Sequence, residues 1–409
     1  MLTQSTLSTA NQHGLTPLTA TMTSLVPTQW EDRPVLVRLV EPAEFEENDD
    51  EDRRPNEDQE IDWSAILTRL EFHPEEARWQ DVDSQITFLH LLLCGNRQPP
   101  LEVIYKTIDT LPEALDVEES YGALPLHYAC DANFNISVEV MHAVLNLHPG
   151  AAKCKTINDH LPLHWAMDWV ANGSRSEELA KLMQLLSPNR ISVVTHLLDV
   201  YPAAALEIDH FVEMDCWEIL CNAWTIEISE KSPEFRCLCE LTELVLRARF
   251  IARRQLLQLD IADVTLTVAE RHVRYSPLHA ICVEEHAPLD IPMLQRYALK
   301  AHSRGASRHD VNGRLCLHLA LEHNLVWDKT PYISAIEGLY NAASKAVATR
   351  DLTTRLYPFM HPSVESGSLS TVFELLRAWP YAARGLARSE LSCCENEMSH
   401  ILPMESLKL

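Results

Sequence analysis

The chain has 409 residues, of which 46% are hydrophobic, and it carries 59 acidic against 34 basic side chains, a formal charge of −25. This length predicts either two domains or one elongated array. The acidic excess repels a phosphate backbone and an anionic membrane surface. No apolar run reaches the ~18 residues that span a bilayer, and no export signal is evident. We expect a cytoplasmic or nuclear protein without a nucleic-acid or membrane partner.

Neither the cysteine spacing nor any known catalytic motif predicts a metal site or an enzyme activity. Eleven cysteines are scattered along the chain without a Cys-x-x-Cys pair, which argues against a zinc site. We interpret them as reduced thiols at apolar positions. The sequence also lacks a P-loop, a nucleophile elbow, an H-E-x-x-H motif and a dinucleotide-binding glycine pattern. No enzyme activity, cofactor or metal is therefore predicted.

The first 60 residues differ in character from the rest. Residues 1–28 are rich in Ser and Thr and contain no Asp, Glu, Lys or Arg, whereas residues 41–60 form an acidic run. Like charges at this density repel one another and few apolar groups offset the entropy of ordering. We predict a disordered N-terminal tail over 1–60. The acidic run could also dock on a basic partner.

A repeated pattern begins at Ile61. Each copy has a Leu-rich stretch that ends in x-Pro-x-x-Ala, followed about fifteen residues later by a Leu-His pair. His90, His127 and His164 are spaced 37 residues apart twice over. A register this regular indicates an internal repeat of one supersecondary unit.

The segments between these markers have helical periodicity. Apolar residues between Val138 and Leu147 recur at helical spacing. Pro149 should end that helix, because proline cannot donate the next backbone hydrogen bond. Pro125 and Pro162 stand where a first helical turn tolerates proline. Two such helices cannot bury their own apolar faces, so the pattern predicts an all-α, elongated α-solenoid of stacked helix-turn-helix repeats.

The repeats resemble those of the ankyrin superfamily. D-V-N-G-R-L-C-L-H at 310–318 is similar to the family pattern D-x-x-G-x-T-P-L-H, and E-S-Y-G-A-L-P-L-H at 119–127 is close to it. The resemblance implies a divergent, longer ankyrin-like repeat over 61–390, followed by a C-terminal tail at 391–409. Leu replaces the family's capping Thr at 124, 161 and 315. Extra helix is expected within 170–190 and over 241–259.

Nineteen histidines are present, and five of them occupy equivalent places in the repeats: His90, His127, His164, His279 and His318. A catalytic residue is needed once, whereas a structural residue is needed in every unit. We therefore predict a structural role for these five.

Repeat arrays bind partners on a concave face built from the turns and the short first helices. The resemblance therefore implies that this chain is a monomeric scaffold or adaptor for an unidentified protein partner. The contact positions that it implies are Ser120, Tyr121, Ala123, Asp131, Ile157, Asn158, His160, Asp168, Trp169, Val311, Asn312, Arg314, Glu322 and His323. Tyr121 and Trp169 are the expected anchors, because aromatic side chains dominate interface energetics.

Other hypotheses remain open at this point. The segment 218–270 fits the repeat poorly and is where a regulatory, metal-binding or enzymatic site would lie. Its arginines (Arg247, Arg249, Arg253 and Arg254) read first as a solvated helix face. They could instead bind an acidic peptide, including this chain's own residues 41–60. A degenerate repeat without a tight partner is a further alternative.

Overall fold

A computed structural model of the chain is mostly helical, as predicted. It describes residues 26–28, 32–40, 61–95, 97–131, 136–167, 175–210, 213–256, 276–284, 289, 291–310, 312–323, 325, 334–361 and 368–381. The chain forms two compact units, residues 1–125 and 126–409, where we expected one array over 61–390. Each unit is described separately below.

The described residues of the first unit form two short strands and four helices. The strands are β1 (Val26–Thr28) and β2 (Trp79–Asp81), which pair in parallel with Val26 opposite Trp79. The helices are α1 (Val35–Arg38), α2 (Trp63–Phe72), α3 (Phe88–Leu93) and α4 (Leu101–Thr110). Two 3₁₀ helices, Pro74–Arg78 and Pro112–Asp116, follow α2 and α4. Each longer helix is therefore followed by a proline-initiated 3₁₀ turn.

Part of the predicted disordered tail is ordered, which corrects our expectation for residues 1–60. Residues 26–28 form β1, and α1 buries Leu36 and Val37 completely. The Leu36 N–H donates to Glu76 Oε2 at 2.9 Å. The apolar run V-L-V-R-L-V at 35–40 supplies the burial that the acidic residues beyond it lack. Residues 1–25 and 41–60 lie outside the described residues.

The second unit contains α5 to α16 and the short antiparallel pair β3 (Ile208–Asp209) and β4 (Met214–Asp215). Its first helices are α5 (Pro125–Cys130), α6 (Val138–Leu147), α7 (Pro162–Met167), α8 (Arg175–Leu185), α9 (Pro188–Val200) and α10 (Cys216–Thr225). They are followed by α11 (Pro233–Leu256), α12 (Pro277–Val283), α13 (Pro292–His302), α14 (Cys316–Glu322), α15 (Ala335–Ala342) and α16 (Leu369–Ala378). Its five 3₁₀ helices in the described segments are Pro149–Lys153, Pro202–Leu206, Ser303–Ser307, Ser344–Ala348 and Pro358–Met360.

Helix α6 shows how the repeat sequence sets its boundaries. The Ser137 hydroxyl caps its start by accepting the Val140 N–H at 3.3 Å. The helix ends at Leu147, and Pro149 begins a 3₁₀ helix, which confirms the predicted stop. Pro125 and Pro162 are the first residues of α5 and α7, also as predicted.

The expected insertions are helices. Helix α8 lies within 170–190 and precedes α9, so this repeat has one helix more than its neighbours. Helix α11 is a single element of 24 residues that includes 241–256. The rest of 218–270, from residue 257, lies outside the described residues, as does residue 391 onward.

The core of the second unit is built from the apolar faces of facing helices. Helix α6 packs against α9 and contributes Val140, Met141 and Val144, all at most 1% exposed. Helices α12 and α14 pack on each other in the same way. Among the described residues, no helix combines the length and apolar character that a membrane span requires.

Candidate functional site

One turn geometry recurs before the short helices. In the turn 119–123, the Glu119 N–H donates to the Ala123 carbonyl at 3.0 Å, and the Gly122 N–H donates back to the Glu119 carbonyl at 2.8 Å. The Glu119 carboxylate also accepts the Ala123 N–H at 3.0 Å. Gly122 has φ +76°, a conformation that glycine adopts without a Cβ clash. These bonds hold the base of the turn and leave Ser120 and Tyr121 at its tip.

The turns 156–160 and 310–314 repeat these backbone bonds. Thr156 Oγ1 accepts the N–H four residues further on at 3.2 Å, and Asp310 Oδ1 does so at 2.7 Å. Thus Glu, Thr and Asp serve one purpose at the equivalent position, since each offers a side-chain oxygen to the same amide. The fourth residue of each turn has a left-handed backbone conformation. It is a glycine in the turns 119–123 and 310–314 and Asp159 in the turn 156–160.

The turns that begin at Asp81 and Asp351 belong to a longer variant. Both N–H groups donate to a carbonyl five residues further on at 2.9 Å, and both carboxylates accept N–H groups two and three residues on. The residue nine positions after the aspartate is His90 in one turn and Met360 in the other. The latter repeat therefore lacks the Leu-His marker.

A buried histidine links each turn to the next. His90 Nδ1 lies 3.2 Å from the Thr87 N–H, and its Nε2 lies 3.1 Å from the Ala123 carbonyl, 33 residues away. This pair of bonds requires the neutral imidazole with its proton on Nε2, because a carbonyl oxygen can only accept. The ring therefore caps its own short helix and also holds the turn of the following repeat.

The other repeat histidines are placed in the same way. In three of these four, Nε2 meets a carbonyl near the next turn: His127 with His160 at 3.3 Å, His279 with Arg314 at 3.3 Å and His318 with Thr349 at 2.9 Å. Nδ1 of His164 accepts the Leu161 N–H and Nδ1 of His318 accepts the Leu315 N–H, as Nδ1 of His90 accepts the Thr87 N–H, so this bond forms without a threonine hydroxyl. Burial lowers the pKa of His164, His279 and His318. The five histidines are buried, and these contacts are structural as predicted.

Apolar side chains stand exposed at the tips of these turns. Tyr121 is 65% exposed, Ile157 66%, Leu352 54% and Val82 41%. We call these four the turn-tip residues. Val82, Ile157 and Leu352 directly follow the first residue of their turns, and Tyr121 lies one position further on in its turn. Exposure of a large apolar side chain at each of these tips is a feature that core packing does not require. Val82 and Leu352 were not among the predicted contact positions, and the signal that could have located them is the aspartate that begins each turn, Asp81 or Asp351.

Neighbouring turns are also linked laterally. The Ser120 N–H donates to the Ser84 carbonyl at 2.8 Å, and Thr353 Oγ1 donates to the Asn312 carbonyl at 3.4 Å. A Cβ atom added to Gly313 would lie 2.4 Å from Leu352 Cδ1, so one turn tip rests on the next. These contacts fix the tips relative to one another within each unit.

The residues predicted to contact a partner fall into four groups. Those with exposed side chains are Ser120, Tyr121, Ile157, Asn158, Asn312 and His323. Those partly exposed are Asp131, His160, Arg314 and Glu322. Ala123 is 1% exposed and its carbonyl is bonded to His90, so its side chain offers no contact surface. Asp168, Trp169 and Val311 lie outside the described residues.

Arg314 is committed to an internal network. Its guanidinium pairs with Glu322 and lies 3.1 Å from the fully buried Asp351 carboxylate. His361 is 3.7 Å from the same carboxylate. Because Arg314 compensates a buried charge, a partner would have to compete with Asp351 for it. We therefore assign Arg314 and Glu322 to the support of the turn.

The predicted arginine face of α11 is only partly a solvated surface, which corrects our first interpretation. Arg249 is 5% exposed. It lies 2.5 Å from Asp215, 3.0 Å from Glu284 and 2.8 Å from the Ala205 carbonyl. Arg253 also pairs with Glu284, at 2.7 Å. These two arginines join α11 to α10 and α12, and only Arg247 of the cluster is exposed.

A groove of about 480 Å³ lies between α11 and α13 in the second unit. It is lined by Glu230, Phe235, Arg236, Cys239, Glu240, Glu243, Arg296, Tyr297, Lys300 and Ala301. Lys300 lies 3.5 Å from Glu230, and the Tyr297 hydroxyl donates to Glu243 at 2.5 Å. Its charged groups are thus largely paired among themselves, which gives the groove no defined ligand chemistry.

The described residues contain no cluster of three or more His, Cys, Asp or Glu side chains that could hold a metal ion. Burial raises the pKa of the Cys130 and Cys221 thiols to about 12, so both are neutral and behave as small apolar groups. No model of a known protein family matches the chain, and no curated protein matches it in sequence.

Proposed function

We propose that this chain is a divergent ankyrin-like repeat protein that binds another protein through its turn-tip residues. The repetition of exposed apolar side chains on braced turns carries this proposal. Tyr121 and Ile157 stand on turns whose bases are closed by the same hydrogen bonds. Stacking of the helix-turn-helix repeats into a solenoid is part of the proposal, since such stacking would continue the contacts between neighbouring turns.

The energetic argument rests on preorganisation. A partner that packs on a braced turn does not have to order the backbone, so less of the contact energy is lost on binding. Tyr121 combines a large apolar surface with a polar tip, a combination that is enriched at interface hot spots. The histidine network below each turn holds the surface in place but does not itself meet the partner.

The test is affinity capture from native lysate with a matched pair of double variants. Tyr121→Ala/Ile157→Ala removes one exposed tip in each unit. Phe72→Ala/Leu147→Ala removes one exposed apolar side chain in each unit from helix ends away from the turns (71% and 48% exposed). Circular dichroism and thermal melting would verify that all three proteins fold alike.

We expect a specific partner to be retained by the wild type and by the helix variant and lost by the turn-tip variant. Equal capture by both variants would refute the assignment of the binding surface to the turns. Failure of the folded wild type to capture any partner from several lysates would count against the binding function itself.

A further inference from the structure

The turns of the first unit combine exposed apolar and acidic groups. We call this surface the first-unit turn face: Val82, Asp83, Asp116, Glu118 and Tyr121. All five side chains are exposed. The Ser120–Ser84 backbone bond joins the turns that carry Val82, Asp83 and Tyr121, and Asp116 and Glu118 directly precede the second of these turns. The buried carboxylates of Asp81 and Glu119 accept N–H groups inside the turns.

The charge at this face has one sign. No Lys or Arg occurs in residues 79–96 or 107–125. Residues 1–125 hold 25 of the 59 acidic but only 8 of the 34 basic residues, so they carry −17 of the total −25. A negative field of this kind attracts cationic segments and disfavours anionic ones.

A turn late in the second unit shows the opposite arrangement. Leu352 is exposed as Tyr121 is, but the exposed charged side chains near it in the sequence are Arg350 and Arg355. The carboxylate beside it, Asp351, is buried and paired with Arg314. The two exposed apolar tips therefore stand in fields of opposite sign, so their partners should differ in charge.

We propose that the first-unit turn face binds a partner segment in which an apolar or aromatic residue is flanked by Lys or Arg. This inference rests on the proposed function and gives the partner its chemistry. The flanking cations would meet Asp83, Asp116 and Glu118, while the central residue packs on Tyr121 and Val82. The ring of Tyr121 also offers its face to a guanidinium.

The test uses a fluorescent peptide with a central tryptophan flanked on each side by arginines, and a second peptide with glutamates in their place. Fluorescence anisotropy with the full chain should show binding of the basic peptide, and this binding should weaken as salt rises. The glutamate peptide should not bind. Tyr121→Ala should weaken binding about tenfold, the loss of one anchoring contact.

A pair of triple variants separates the site from overall charge. Asp83→Asn/Asp116→Asn/Glu118→Gln should abolish most of the binding. Glu139→Gln/Asp199→Asn/Glu227→Gln removes the same charge from exposed positions of the second unit and should leave binding unchanged. Equal losses in both triple variants would overturn the inference, because attraction would then follow net charge alone.

The outcome also distinguishes this inference from the proposed function. If lysate capture depends on the turn tips but the basic peptide does not bind, the partner chemistry is wrong and the binding surface stands. If the peptide binds equally well after Tyr121→Ala, the first-unit turn face is not its site.

Discussion

The repeats around His127 and His318 and the region around Arg249 join neighbouring repeats in different ways. In the regular repeats, one neutral imidazole caps its helix and bonds to a carbonyl near the next turn, as His318 does with Leu315 and Thr349. In the irregular region Glu218 stands where the other short helices have the histidine, and its carboxylate accepts the Asp215 N–H at 2.8 Å. The strands β3 and β4 replace the simple turn there. There Arg249 reaches from α11 to a carbonyl and two carboxylates.

The difference shows that neighbouring repeats need a side chain that links them. The type of residue that makes this link can vary. A histidine link is short and neutral, so it fits every regular repeat without burying charge. An arginine link reaches further but has to bury ions, and it is stable only because Asp215 and Glu284 compensate it. The four predictions below test this contrast in order of expected effect.

Arg249→Ala should have the largest effect. It leaves the Glu284 carboxylate, whose side chain is 1% exposed, without its main buried partner. Removing one member of a buried ion pair typically reduces the free energy of unfolding by about 3–5 kcal/mol. Urea denaturation would measure this loss, with Arg247→Ala on the exposed side of the same helix as the control. A loss below about 1 kcal/mol would show that the network does not hold α11 in place.

His318→Phe should cost about 2 kcal/mol of unfolding free energy. The change keeps an aromatic ring but leaves the Leu315 N–H and the Thr349 carbonyl without this partner. His323→Phe, at an exposed position five residues further on, is the matched control. Equal stability of the two variants in urea would mean that the histidine links are not needed for the regular repeats.

Gly313→Ala should destabilise the chain by about 1 kcal/mol. Gly313 has φ +76°, and the new methyl group would meet the Leu352 side chain, whose Cδ1 lies 2.4 Å from the added Cβ position. Gly95→Ala is a control with a similar φ of +74° but no atom within 4 Å. Any excess loss at Gly313 over Gly95 measures the contact between turn tips. No excess in thermal melting would argue that these tips do not press on each other.

The smallest effect concerns the pH dependence that one histidine contributes. Burial lowers the pKa of His318 in the folded state below its ordinary value of about 6.5. The unfolded chain then binds more protons as the pH falls through that value, so the free energy of unfolding decreases toward acid. Above about pH 6.5 this contribution is fully retained. His318→Phe should therefore show a shallower loss of stability between pH 7.5 and 5.5 than the wild type, and a parallel or steeper curve would contradict the assignment.

Local residue patterns predicted some structural elements and failed to predict others. Helix ends at Pro149 and helix starts at Pro125 and Pro162 follow from the covalent structure of proline, so they were predictable. Leu352 was not predicted as a contact residue, because Met360 replaces the histidine that marks the other repeats. Helix α1 was missed because six apolar-rich residues are inconspicuous beside a long acidic run.

The candidate site was predictable in part for the same reason. Position in the repeat placed Tyr121 and Ile157 on exposed tips, because turn tips project from the packed helices. Position alone could not show that Ala123 is covered or that Arg314 is paired, since both depend on residues more than 30 positions away.

The sequence by itself determined the helical character, the repeat spacing and the boundaries of its proline-marked helices, because these depend on local periodicity and on proline geometry. Only the tertiary structure decided that Arg249 is buried, that four of the five repeat histidines reach a carbonyl of the following repeat, and which turn residues remain exposed. Those properties depend on which distant groups meet in space. Contacts between residues that are distant in the sequence set the burial of a side chain and the compensation of its charge, and no local sequence pattern encodes these contacts.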